Sequence, residues 1–397
     1  MTNWREYKLS EIAELRSEKF TPNKVISYPY IGLEHIEPKS LRINGIGSSN
    51  DISSLKSFFY PQDVLYGKLR PYFQKVYSPD FKGVCSTDIF VIKAKKGVNS
   101  KYLFYLLATD EFTALANLGS TGTRMPRADW KHLSSTFWNI PDLSTQTAIA
   151  EILSSLDDKI ELNNKINQEL ETLAQTLFKQ WFIDFEFPNE NGEPYKSSGG
   201  EMVDSALGEI PKGWEVNRLN EIADCFDNKR IPLSSMERNV RKGDYPYYGA
   251  ASLMDYIDDY LFDGVYILMG EDGSVTDNLG YPVLQYVFGK FWVNNHAHVL
   301  KGRKISTELV LCLLKNTNIS DLVTGAVQPK LNQGNMNKIS IPLPQDLFII
   351  SNLEKLITEY YNLIRNNTLE INQLVTLRDI LLPKLISGDL EINEISN

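Results

Sequence analysis

Along residues 146–182 apolar side chains return every three or four positions. The series runs Ile149, Ile152, Leu156, Ile166, Leu170, Leu173 and Leu177, interrupted at its middle by Lys159 and Asn163. That period predicts a long helix with a coiled-coil seam. The end of the chain repeats it through Ile349, Leu353, Leu356, Tyr360, Leu363, Asn367, Glu370, Leu374, Leu377 and Leu381. An offset of 204 places Asn163 on Asn367 and Leu170 on Leu374. If the helices run antiparallel with Asn163 beside Asn367, Lys159 faces Glu370 and Ile166 faces Leu363. A parallel pairing instead sets each charge on an apolar side chain, which is costly. The expectation is an antiparallel pair whose two Asn residues fix the register; two unrelated amphipathic helices in separate cores are the alternative.

Outside the helices the periodicity changes. Short β-rich runs such as Asp88-Ile89-Phe90-Val91-Ile92 and Phe291-Trp292-Val293 alternate with turn clusters. Each is followed by a helix-patterned stretch, at 100–109 and 306–315. Local strings recur in order: Trp4 with Leu9-Ser10-Glu11-Ile12-Ala13 and Trp214 with Leu219-Asn220-Glu221-Ile222-Ala223, then Tyr28-Pro29-Tyr30 and Tyr245-Pro246-Tyr247. Thr121-Gly122, Pro126 and Pro141 return at a constant offset of 203 as Thr324-Gly325, Pro329 and Pro344. The fold class expected is mixed α+β, with two pseudo-repeated α/β domains separated by an antiparallel pair of long helices. Its boundaries are a first domain at 1–145, a helix at 146–183, a linker at 184–212, a second domain at 213–345, a helix at 346–386 and a tail at 387–397. The linker assignment rests on richness in Pro, Gly and acid, which predicts partial order at most.

Net charge changes this picture only once it is divided. The whole chain carries −9, yet residues 1–144 hold 19 Lys/Arg against 14 Asp/Glu, and residues 214–345 hold 13 against 15. Helices, linker and tail carry the remainder, 9 against 21, so the acidity lies in the spacer and both globular parts can meet a polyanion. Cys85, Cys225 and Cys312 have no Cys-x-x-Cys spacing, the pattern of reduced thiols in a cytoplasmic protein. The N-terminal stretch has no signal-peptide character, and no apolar run reaches the length of a membrane span.

The order domain–helix–domain–helix resembles the specificity subunit of type I restriction–modification systems. So do the strings Leu177-Phe178-Lys179-Gln180-Trp181-Phe182-Ile183-Asp184-Phe185 and Leu207-Gly208-Glu209-Ile210-Pro211-Lys212-Gly213-Trp214. The resemblance implies two target-recognition domains, each reading half of a split asymmetric site in double-stranded DNA, with the helices setting the gap. It also implies partners: methylation subunits, two of them, docked on the helices, and restriction/motor subunits. S-adenosylmethionine, ATP and Mg are then expected on those partners, with no cofactor and no metal on this chain.

Candidate DNA contacts follow from side-chain chemistry. In the first domain they are Tyr66, Lys68, Arg70, Tyr72 and Lys75 on one Gly/Pro turn, and Arg124, Arg127 and Lys131 on the 121–127 loop and just after it. Arg suits the guanine O6/N7 edge and Lys suits phosphate. The second domain offers Glu271 and Asp272 in a Gly-flanked turn, and Asn294, Asn295, His296 and His298 after a strand. Gln328, Lys330, Asn332 and Gln333 stand in the loop equivalent to the Arg loop. Amides suit adenine and carboxylates can accept from cytosine N4; turn-forming chemistry is the plainer use of the same residues. Arg124 and Arg127 align with Val327 and Lys330, so one cation is kept.

No phosphate-binding Gly-x-x-x-x-Gly-Lys-Ser/Thr loop and no methyltransferase motif occurs, which argues against catalysis. His296 and His298 with Glu271 or Asp272 form at best an incomplete metal set. A scaffold that joins proteins without reading DNA, and a self-sufficient DNA-modifying enzyme, remain as alternatives. They differ in salt-dependent DNA affinity and in activity without partners.

Overall fold

Both heptad-patterned segments are long helices, Leu143–Phe182 and Ser351–Ser387, of 40 and 37 residues. They belong to a computed structural model that describes residues 4–22, 25–122, 124–325 and 327–392. Thr123 of the candidate loop and the end of the tail, 393–397, lie outside the described residues. The chain forms two units, and each takes half of both helices: residues 1–162 with 370–397, and residues 163–369. Within the first unit Asp157 meets Arg378 at 2.9 Å and Lys159 meets Glu370 at 3.4 Å. Numbers fall along one helix as they rise along the other, so the pair is antiparallel.

Two details differ from the heptad expectation. The Asn367 amide donates to Asn167 Oδ1 at 2.9 Å, one turn beyond Asn163, which is itself buried. Ile149, Asn163 and Leu353 are buried as expected, but elsewhere the buried stripe lies about one residue on from the expected seam. Leu153, Ile160, Ala174 and Phe178 are buried on the first helix, and Ile357, Tyr361, Arg378 and Leu382 on the second. Ile166, Leu173, Leu356, Leu363 and Leu377 are 38–50% exposed. The reason is that each half-helix packs into a globular core as well as against its partner, and that core sets which flank of a wide apolar face is covered.

In the first unit the strands Arg5–Lys8 and Phe137–Ile140 pair antiparallel, closing the two ends of the globular part. A four-stranded sheet has the order Ala13–Leu15, Ile89–Ala94, Val64–Gly67, Val76–Tyr77. A five-stranded sheet runs Lys19–Phe20, Lys56–Phe59, Gly83–Cys85, Pro29–Ile31, Gly47–Ser48. The helix Ser100–Leu107, capped by Asn99, buries six of its eight residues against Ile149, Leu153 and Leu385 in one core.

The second unit repeats the plan. Trp214–Arg218 pairs with Ser340–Pro344, and the helix Thr307–Lys315, capped by Ser306, packs beneath a sheet. That sheet has six strands, ordered Ala223–Cys225, Ala297–Gly302, Phe262–Gly270, Leu284–Val293, Lys242–Tyr248, Leu253–Ile257. Even the entry turns match: Glu11 accepts from Lys8 N at 2.7 Å, and Glu221 from Arg218 N at 2.6 Å.

Residues 184–212, expected to be a partly ordered linker, are ordered and belong to the second unit. Met202–Ser205 and Gly208–Pro211 form a hairpin, and Phe185, Phe187 and Ile210 are buried. Phe182 and Phe185 pack edge-on to Trp214 and Phe187 stacks on it, with centroids 5.2–5.6 Å apart. Acidic and Gly-rich composition concealed two aromatic rings, Phe185 and Phe187, that close one cluster with Phe182 and Trp214. The first unit has its own version: Trp4 receives the end of the second helix at Gly388, whose left-handed φ of 82° ends the helix.

Candidate nucleic-acid interface

Each unit builds the same small backbone frame from a strand end, the start of a neighbouring strand, and the Thr-Gly loop. In the first unit the Arg70 N–H donates to Pro126 O at 2.7 Å, Ala128 N–H to Lys68 O at 2.9 Å, and Lys68 N–H to Asp88 O at 2.9 Å. In the second unit Gly273 donates to Pro329 O at 2.9 Å, Leu331 to Glu271 O at 2.9 Å, and Glu271 to His296 O at 2.8 Å. Thr121 and Arg127 exchange both backbone bonds, as do Thr324 and Lys330. Leu69 bridges to Arg127 where Asp272 bridges to Lys330. These bonds match Lys68 with Glu271, Leu69 with Asp272, Arg70 with Gly273, Asp88 with His296, and Arg127 with Lys330. The two stretches singled out separately in the first domain therefore form one site.

Side chains on the two frames differ. In the first, Arg70, Arg124 and Lys131 are exposed, as is Tyr72, which packs against Phe73 at 4.7 Å. Lys68 is partly covered and lies 5.5 Å over the Phe90 ring. Arg127 is committed to Asp88, with Nε to Oδ1 at 3.0 Å, and that carboxylate raises its pKa. Two expected contacts are lost. Tyr66 is fully buried against Phe112, and burial pushes its hydroxyl up to about 12. Lys75 is half-buried and donates to Leu33 O at 2.5 Å, burial lowering its pKa. Tyr66 lies on the strand Val64–Gly67, which is buried along its whole length, and Lys75 lies just before its partner strand, whereas Lys68 and Arg70 follow the first strand and leave the core.

In the second frame the charged groups are largely bound to one another. Lys330 lies 3.2 Å from Asp272, which raises the lysine's pKa, and 3.6 Å from Glu271. His296 lies 3.5 Å from Asp272 and is about half exposed. Glu271, expected to face DNA, points inward and accepts from Arg230 at 2.8 Å. Asn294 and His298 are corrected likewise, being 6% and 0% exposed. Asn294 Oδ1 accepts from His296 N, so that residue makes a turn. Asn332 stays at the surface but caps the short helix Gln333–Met336 through Asn335 N. Asn295, Gln328 and Gln333 are exposed.

Beneath this frame His298 Nδ1 lies 2.5 Å from Asp227 Oδ2, and His298 Nε2 lies 2.7 Å from Leu331 O. Burial alone would raise the Asp227 pKa; His298, the Val299 N–H and Arg230 outweigh it and hold the carboxyl below its usual range. Cys225, Asp227 and His298 present ligand-type atoms within 4.8 Å of one another. The Arg230 guanidinium, bonded to Glu271 and 3.3 Å from Asp227, already balances the carboxylates, so the geometry is that of an ion cluster. The metal set weighed from sequence is not assembled: His298 is in the core and His296 is outside it. Asp88, Phe90, Asp227 and Arg230 were missed. Aligning the strand that starts at Ile89 with the one that starts at Ala297 was the signal for the first two. The last two meet the frame only through the fold.

The pattern of the type I restriction modification DNA specificity domain matches residues 1–172 and again 211–373, one copy for each globular part. The specificity subunit of the MjaIX enzyme of Methanocaldococcus jannaschii is 31% identical over 322 residues, covering 76% of this chain and 71% of that one. The HindI specificity subunit of Haemophilus influenzae is 26% identical, covering 98% and 100%. A type I S subunit from M. genitalium shares the fold, with a TM-score of 0.59 at 16% identity over 97% of this chain and 96% of that one. Among the described residues no helix is long and apolar enough to cross a membrane. The chain belongs to the type I restriction–modification specificity subunits, the non-catalytic chains that give these systems their DNA recognition.

Proposed function

We propose that this chain reads a bipartite, asymmetric site, one half through each frame, and that its antiparallel helices set the number of base pairs between the halves. What carries the reading is that one backbone frame is built twice from matching hydrogen bonds and carries different side chains each time. A shared frame serves a shared geometry on the duplex; different side chains serve different sequences. Methylation subunits, two per chain, dock on the helices, where Ile166 and Leu173 are exposed apolar side chains on the first and Leu356 and Leu363 on the second. Restriction/motor subunits join that complex. S-adenosylmethionine, ATP and Mg are held by those partners.

Mapping methylated adenines in cells carrying the system is the direct test. Two short sequence blocks at a fixed spacing are expected. Inserting seven residues, about 10 Å of helix at ~1.5 Å per residue, into both helices lengthens the spacer by roughly 3 base pairs and leaves both blocks unchanged. Altered blocks at an unaltered spacing would contradict the assignment of the helices.

A further inference from the structure

The matched frames differ in charge far more than in shape. Taking Lys68, Leu69, Arg70, Asp88, Arg124 and Arg127 against Glu271, Asp272, Gly273, His296, Val327 and Lys330, the first set carries +3 and the second −1 with His296 neutral. Arg70 adds an observation of its own. It holds a left-handed φ of 51° where its counterpart, Gly273, has φ 79°. Glycine adopts that conformation freely, whereas an L side chain is strained in it. The first unit thus keeps a long cationic side chain at a position where the backbone favours glycine. Its side chain is exposed, as is that of Arg124.

We propose that the two frames, each reading its own half-site, share the electrostatic work unequally: Arg70 and Arg124 add a grip on DNA phosphates to the first, while the second relies on base edges and contributes almost nothing to the electrostatic affinity. This rests on the DNA-reading function above and goes beyond it in assigning unequal roles. Glu271 is turned inward onto Arg230 and Asp272 holds Lys330, so the cations of the second frame are already paired and it cannot serve as a phosphate clamp in the manner of the first. Its surface row of Lys330, Asp272 and His296 is internally neutralised and offers donors and acceptors side by side. Such a row suits base edges, the carboxylate accepting from cytosine N4 or adenine N6. Asp88 leaves three uncompensated cations on the first frame, of which Arg70 and Arg124 are bound to no carboxylate among the described residues.

The test uses the full chain in its methylation complex and a duplex without the target sites. Binding constants are measured across salt concentrations for the wild type, the double variant Arg70→Gln with Arg124→Gln, and Lys330→Gln. Loss of two phosphate contacts makes the slope of log K against log salt shallower by roughly 2, at ~0.9 per contact. Lys330→Gln is expected to leave the slope unchanged. Asp272→Asn is expected to keep the wild-type slope and change the methylated sequence in one half-site only. Unaltered melting temperatures establish that the variants fold. Equal slope losses from both frames, or an unchanged slope in the double arginine variant, would overturn the division. A wild-type complex with no salt-dependent DNA binding would instead overturn the DNA-reading function itself.

Discussion

Arg70 shows how one residue can trade stability for binding. A left-handed L residue costs about 1–2 kcal/mol, and glycine gives back roughly 0.5–1 kcal/mol through the freedom of the unfolded chain. Arg70→Gly is therefore expected to stabilise the protein by up to about 1 kcal/mol in denaturant unfolding while weakening DNA binding. A loss of stability with DNA affinity intact would mean that Arg70 serves the turn. Asp227 is the opposite case, a residue spent on the fold. Its carboxyl is held low by His298, Val299 N–H and Arg230 against the burial that opposes ionisation. Its contribution is present above the unfolded pKa of about 3.9 and is lost as pH falls further, through the lower folded value. Unfolding of the second unit should steepen below about pH 4. Asp227→Asn should remove that acid sensitivity and lower stability at neutral pH.

At the scale of elements, the two units solve one packing problem with different chemistry. In the first, the Tyr105 hydroxyl donates to Asp157 at 2.7 Å and Arg378 bonds the same carboxylate at 2.9 Å, tying the helix Ser100–Leu107 to both long helices. The repeat places Cys312, Tyr361 and Ala174 at the corresponding positions, packed into one apolar core. At these three positions an ionic contact in one copy is an apolar one in the other, whose ion pairs Glu308–Arg365 and Lys315–Glu171 lie at other positions of the same helices. Arg378→Ala alone strands a partly buried carboxylate and is expected to cost about 2–3 kcal/mol, below the ~3–5 kcal/mol of a fully buried pair because Asp157 retains some exposure. Transplanting the whole set, Tyr105→Cys, Asp157→Tyr and Arg378→Ala, should recover most of that loss in a melting experiment. A triple variant less stable than Arg378→Ala would show that the clasps are not interchangeable.

Heptad spacing made both helices, and the antiparallel sense of their pairing, legible, because misplaced Lys159 and Glu370 penalise the other orientation. It located the buried stripe only in part, at Ile149, Asn163 and Leu353. A helix with apolar side chains over a wide face can bury either flank, and the cores around Ile149 and Ile357 made that choice. Composition failed between residues 184 and 212 for a related reason: Phe185 and Phe187 matter only once Trp214 is beside them.

For the whole molecule, the sequence by itself determined the duplication, the mixed α/β class of each copy, the long helices, and the cationic character of the first Thr-Gly loop. All of these are written in local periodicity or in offsets between similar strings, which need no knowledge of contacts. The tertiary structure alone decided which candidate side chains reach the surface. Tyr66, Lys75, Asn294 and His298 have the composition of contact residues and were turned inward by packing against segments distant in the chain. Exposed Arg70 and Arg124 were brought onto one frame by backbone bonds between segments more than fifty residues apart. Side-chain chemistry is a property of the residue, but facing and neighbourhood are properties of long-range pairing, and recognition depends on both.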